Sequence, residues 1–191
     1  MKKSSRALFL AVIGLALVAV VLVVTRLPMP LDTLPLTQVF DDSPQGFTIR
    51  YPADWDYTIP IHGLILFGPN ATLFQAKPGP TFTIQRLGPL AAFGALEEAL
   101  DLYLRRGPLR EDRLWEQQGQ ITTTTLRNRP ALRVEITGRE FQDSPESRVN
   151  ILATLAQNTF VYVIAMTAPL ENWPAVERTL QAMLDSLEIL E

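Results

Sequence analysis

Two consecutive runs near the end of the chain, Val149 to Ala156 and Phe160 to Thr167, are apolar on both faces and turn around Gln157-Asn158. A strand sends alternate side chains to opposite faces, so a run that does not alternate has to bury both. Such strands belong in the middle of a sheet that is covered on each side. The cover is legible as well. Leu96, Ala99, Leu100, Tyr103 and Leu104 recur at helical spacing, with Glu97, Glu98, Asp101 and Arg105 between them. Acids lead this segment and Arg105 and Arg106 close it, as the helix dipole favours, and Gly107-Pro108 stops it. A second helix is expected from Trp173 to about Leu187, with Trp173, Val176, Leu180, Met183, Leu184 and Leu187 on one face and Asn172 as its N-cap.

The remaining strands alternate. Gly46 to Tyr51 sets Phe47, Ile49 and Tyr51 on one face before Pro52 ends it, and Trp55 is placed to fold back on that face. Further strands are expected at Trp55 to Ile59, Gly63 to Phe67 and Thr81 to Gln85, followed by the pair Gly119 to Leu126 and Ala131 to Thr137. Residues 70 to 80 read as a loop, and so does the polar stretch that holds Trp115. The expected fold class is α+β: an antiparallel sheet of about seven strands with helices on both faces, an α-β-α sandwich.

Before this domain stands Ala7 to Thr25, nineteen residues without a charge. As a helix it would reach roughly 28 Å, close to the hydrocarbon thickness of a bilayer. Thirteen of its residues are Leu, Ile, Val or Phe, and together they favour insertion by roughly 4 to 8 kcal/mol. Lys2, Lys3 and Arg6 precede the segment and only Arg26 follows it closely, so the N-terminus is expected in the cytoplasm and the rest outside. A secretory signal peptide fits the charged start equally well, but Val23 to Pro28 holds no Ala-x-Ala-like cleavage site. The expected organisation is residues 1–6 cytoplasmic, 7–25 a transmembrane anchor or uncleaved signal, 26–45 a linker rich in proline, and 46–191 the globular domain. Within the linker, Leu36 to Phe40 has the composition of an edge strand. The expected location is the cell membrane, with a single pass and an extracytoplasmic domain.

Without Lys2, Lys3, Arg6 and Arg26 the chain keeps 13 basic residues against 20 acidic, a net charge of −7. That sign opposes broad binding to nucleic acid. No cysteine is present, which excludes disulfides, thiolate nucleophiles and thiolate metal sites. His62 is the only histidine, so a Ser-His-Asp or multi-histidine arrangement cannot be assembled with a second one. Asp54 and Asp56 stand near His62 in sequence, but proximity alone does not make a metal site. Asp41-Asp42, Glu97-Glu98 and Glu111-Asp112 read as solvated charge on a linker, a helix face and a loop. Asn70-Ala71-Thr72 has the form of a glycosylation sequon, a match that short sequences often give by chance. No serine lies in Gly-x-Ser-x-Gly, and there is no glycine-rich phosphate loop. No cofactor and no catalytic residue is expected.

Two features point instead to contact. Arg127, Arg129 and Arg133, with Arg139 further on, gather basic charge on one hairpin of an acidic domain. They read either as protection of a strand edge or as a docking face for an acidic partner. Trp115 lies among charged and glutamine residues and is less easily explained by burial than Trp55 or Trp173.

The start Phe47-x-Ile49-x-Tyr51-Pro52-x-x-Trp55, the helix in mid-chain, the two long apolar strands and the closing helix resemble the PsbP-like domains over residues 40 to 190. Those domains share an α-β-α sandwich with the Mog-type Ran-binding proteins. The resemblance implies a non-catalytic domain, usually exported or facing a lumen, that binds or helps assemble a membrane complex. The functional expectation is a membrane-anchored, extracytoplasmic protein-binding or assembly module whose partner is an envelope protein complex. The alternative is a carrier or sensor of a small apolar ligand held between sheet and helix.

Overall fold

The computed structural model describes residues 33–42, 46–109, 114–156 and 159–190. Its main sheet has seven strands: β3 (Trp55–Ile61), β4 (Leu64–Pro69), β5 (Thr81–Pro89), β6 (Leu114–Leu126), β7 (Arg129–Arg139), β8 (Ser147–Ala156) and β9 (Phe160–Pro169). They run in the order β3-β4-β5-β9-β8-β7-β6, and every neighbouring pair is antiparallel. The doubly apolar runs are β8 and β9, and they lie inside the sheet as expected. In β9, Val161, Val163 and Ala165 enter one core while Tyr162, Ile164 and Met166 enter the other. The sheet therefore separates two apolar layers.

One helix serves each layer. Helix α2 (Leu96–Arg106) buries Leu96, Ala99, Leu100 and Leu104 against β7, β8 and β9. Helix α3 (Trp173–Ser186) buries Trp173, Leu180, Met183 and Leu184 on the opposite face. That second layer has a further cover which the strand periods did not reveal. β1 (Leu36–Asp42), β2 (Phe47–Pro52) and β10 (Glu188–Ile189) form a separate antiparallel sheet in the order β1-β2-β10. Phe40, Phe47, Ile49 and Tyr51 point from it into the α3-side core.

Several expectations change. The edge strand expected at the end of the linker forms as β1, in register with β2 through Phe40 and Ile49, and Phe40 is buried. The amide of Leu34 also donates to the buried Thr179 hydroxyl of α3 at 3.2 Å, so the compact unit begins at Thr33 and not at residue 46. Residues 70 to 80 are not all loop, because Asn70–Phe74 makes one helical turn, α1. Asn172 precedes α3 but makes no side-chain cap, and its backbone is already helical. Its carbonyl takes the amides of Ala175 and Val176, and Pro174 in the first turn has no N–H that needs a cap. The anchor expected at 7–25 lies outside the described residues, and among the described residues no helix is long and apolar enough to cross a membrane.

Candidate binding groove

The expected loop around Trp115 is the first part of β6, and the change decides where the indole sits. Trp115 pairs with Gly138 of β7 and packs, half-buried, against the α2-side core. Gly138 permits that approach. A Cβ on Gly138 would lie 2.6 Å from the Trp115 Cα and closer still to the Leu114 carbonyl oxygen. Beyond Gly119 the ladder shifts register, and the strand continues through Thr122–Thr125 to the turn.

Because α2 ends at Arg106, it leaves part of its sheet face uncovered. A groove of about 370 Å³ lies there. Ile136, Val149, Ile151 and Ala165 line it with apolar side chains from three adjacent strands, and Trp115 adds the indole of the edge strand. Tyr103 and Arg106 bring the helix side. Thr81, Thr83 and Thr167 add hydroxyls from β5 and β9, where Thr81 lies directly opposite Thr167. A second hollow of about 340 Å³ shares Tyr103, Arg106 and Gly107 and reaches Leu87 and Phe93. A third, of about 510 Å³, shares Trp115 and takes in Glu116, Thr137, Arg139 and Glu146. Trp115 thus stands between two concavities. Tyr103, Arg106 and the three threonines were not singled out by sequence. Their signal was present in β5, where the face that should meet a covering helix carries Thr81 and Thr83 instead of aliphatic residues.

The charges around the groove have separate tasks. Arg105 is held by Asp101 at 2.9 Å, an exposed pair one turn apart, whereas Arg106 lines the groove. Burial raises the Tyr103 hydroxyl above its ordinary pKa of 10.0, so at neutral pH the groove is offered an uncharged phenol. Burial also raises Tyr51, aided by Tyr57 and Asp56. Above pH 10 the unfolded chain loses these protons before the folded one does, so the folded state binds more protons and stability falls as pH rises. An absorbance titration of the phenolate band is expected to show Tyr51 and Tyr103 ionising late, with stability declining in that same alkaline window.

The hairpin arginines are not gathered at the groove. Arg127 and Asn128 form the two-residue turn between β6 and β7, with φ of 45° and 66°, the signs that a type I′ hairpin needs. The left-handed region costs an L-arginine about 1–2 kcal/mol, and the guanidinium offsets this. Its Nε and Nη2 donate to the Asp185 carbonyl at 3.0 and 2.7 Å, capping the end of α3, and its Nη1 meets Glu188 at 2.9 Å. Arg129 donates to the Ile189 carbonyl at 3.2 Å. Both residues therefore hold the C-terminal segment, whose Ile189 pairs with Phe47. Arg133 is exposed on β7. Trp115 lies at the far end of β6 from the turn, roughly 35 to 40 Å away by strand rise. Replacing Arg127 and Arg129 together by alanine is expected to cost about 1–3 kcal/mol, with faster amide exchange at Glu188–Leu190 as the local readout.

The other sequence candidates stay apart. Asp56 accepts the Tyr57 amide at 2.8 Å, and His62 is exposed in the β3–β4 turn at the opposite end of β3. Among the described residues no three His, Asp or Glu side chains gather as metal ligands would.

A seven-stranded antiparallel sheet with a helix on each face is an α+β fold that this chain shares with PsbP- and Mog-type proteins. No protein-family model matches it, and no curated protein matches it by sequence. Its structure is similar to cyanobacterial PsbP (CyanoP) of Synechocystis at TM-score 0.55 and 9% identity, over 80% of this chain and 91% of that one. The Ran-binding protein Mog1p of Saccharomyces cerevisiae aligns at TM-score 0.52 and 12% identity, over 81% and 95%. A protein of Bacteroides thetaiotaomicron aligns at TM-score 0.56 and 12% identity over 82% of this chain, which spans half the length of that one. At such identities the likeness is one of fold.

Proposed function

We propose that this chain is a membrane-anchored, extracytoplasmic protein-binding or assembly module without catalytic activity, and that the groove beside Trp115 receives its partner. The groove carries the reading: an apolar floor bordered by an indole, a phenol, an arginine and three hydroxyls. Apolar side chains of a partner lose water on Ile136, Val149, Ile151 and Ala165, while Tyr103 and the threonines meet the polar groups that come with them. The indole is the anchor type that dominates such contacts. A fold shared with a Ran-binding protein supports the reading. The uncharged Ala7–Thr25 segment and its preceding cations support an anchor with the domain outside the cytoplasm. The partner is then another envelope protein.

The adjoining hollows of about 370 and 340 Å³ are also of small-molecule size, which keeps a carrier or sensor of a small apolar ligand as the second reading. Crosslinking in intact membranes followed by recovery of the full chain separates them. Trp115→Ala is expected to weaken a protein partner by about 2 kcal/mol, roughly thirtyfold in affinity, while the protein still unfolds cooperatively at a somewhat lower thermal midpoint because the indole also packs on the α2-side core. Arg133→Glu tests the opposite sheet face without touching the C-terminal clamp. If the same protein is recovered from wild type and Trp115→Ala in equal amount, the groove is not its site. A recovered lipid or metabolite in place of a protein establishes the second reading.

A further inference from the structure

We propose that β6 is a self-pairing edge, at which two copies of this chain join their main sheets into one continuous antiparallel sheet. Among the described residues β6 pairs with β7 alone, and it is the longest strand, at 13 residues. Edge strands are ordinarily guarded by charge, proline, a β-bulge or shortness, and the register shift of β6 lies between Gln118 and Thr122, ahead of its threonine run. The other edge of the main sheet follows that rule: β3 has seven residues and includes Asp56 and Pro60. β6 contains no proline and one charged residue, Glu116. From Ile121 to Leu126 it reads Ile-Thr-Thr-Thr-Thr-Leu, free of charge, glycine and proline, with Thr122, Thr123 and Thr125 exposed.

The turn fixes which amides face outward. Leu126 and Arg129 flank a two-residue loop and form its closing hydrogen-bonded pair, so by alternation the pairs Thr124–Ala131 and Thr122–Arg133 are hydrogen-bonded too. Thr123 and Thr125 then turn N–H and C=O away from β7, towards the open edge. A two-fold axis at Thr123 sets Thr122 opposite Thr124 and Ile121 opposite Thr125, an isologous arrangement built from favourable threonine pairs. No charge falls opposite a like charge. The antiparallel sense also carries the hairpin end of each copy towards the uncharged Gln117, Gln118 and Gln120 of the other, so Arg127 keeps its Glu188 partner and meets no like charge. This surface is distinct from the groove floor and does not depend on it.

The chain lacks cysteine, so single cysteines introduced into the full-length protein in membranes report only on themselves. Thr122→Cys, Thr123→Cys, Thr124→Cys and Thr125→Cys are oxidised beside Asn70→Cys, an exposed residue of α1. The expected result is a disulfide dimer that peaks at one position between 122 and 124, at roughly ten times the yield of the control, because disulfide geometry tolerates only close Cα pairs. The double variant Thr123→Pro/Thr125→Pro removes two outward amides and leaves the β7 ladder intact. It is expected to sediment as a monomer in detergent where the wild type is a dimer, and Trp115→Ala is expected to remain a dimer. Crosslinking no higher than the Asn70→Cys control, crosslinking to a different protein, or a dimer that survives the proline pair overturns the proposal.

Discussion

Phe67→Ala is expected to lower the unfolding free energy by about 3–5 kcal/mol, the range for losing a fully buried phenyl ring. Phe67 has no exposed surface, and its surroundings are poorly able to close the gap. Phe40 meets it edge-on with centroids 5.4 Å apart, Tyr51 lies at 5.3 Å and Tyr57 at 6.1 Å. Those rings come from β1, β2 and β3, so a collapse onto the cavity would need to move strands of both sheets together. Aromatic pairs of this kind add about 0.5–1.5 kcal/mol beyond burial, which sets the cost above that of an aliphatic truncation. Urea denaturation checks it: the midpoint should fall with an unchanged slope. Phe74, more than half exposed on α1, is the comparison, since its truncation should alter stability by no more than about 0.5 kcal/mol.

Gly138→Ala is expected to combine a stability loss of about 1–3 kcal/mol with loss of the groove. The added methyl meets backbone, the Leu114 carbonyl and the Trp115 Cα, and not the movable end of a side chain. Relief requires the first part of β6 to move away from β7, taking the indole with it. A red shift of tryptophan emission should accompany the change. Binding should fall at least as far as in Trp115→Ala, although the indole is still present in the sequence. A Gly138→Ala protein with native emission and native binding would show that the β6 start can adjust without disturbing the groove.

The parts of this fold that sequence revealed are those in which burial follows a local period. β8 and β9 lack alternation because each contacts two cores, and Leu96, Leu100 and Leu104 recur along α2 because one side of the helix meets the sheet. Phe47, Ile49 and Tyr51 likewise marked an inward face. Periodicity does not name a strand's partner, however. The β2–β10 pairing joins Thr48 to Glu188 across most of the chain, so the second sheet was hidden while its strands β1 and β2 were visible. The start of β6 was hidden for a different reason: Glu116, Gln117 and Gln118 are all exposed at the edge, so no apolar alternation is written there. α1 is one turn with no buried residue, too short to show a helical period.

The candidate site divides in the same way. Trp115 was legible as a residue out of keeping with its neighbours, and it lines the groove. Arg127 and Arg129 were legible as charge, but their acceptors are carbonyls of residues 185 and 189, some sixty positions away. Charge read along a hairpin cannot anticipate that contact. Thr81 and Thr83 took the polar side of an alternating strand and Thr167 closed a doubly apolar run, and only the short reach of α2 shows that all three border a groove.

The most direct test of the binding reading is photocrosslinking from a benzoyl-phenylalanine placed at position 106, the exposed groove-lining end of α2, of the full-length protein in intact membranes. The same group at Val39, exposed on β1, serves as the control. The expected result is one envelope protein labelled from position 106 and not from position 39, with labelling lost when Gly138→Ala is added. Equal labelling from both positions, or none from position 106 in a protein that retains its native fold, would contradict the assignment of the groove as the binding site.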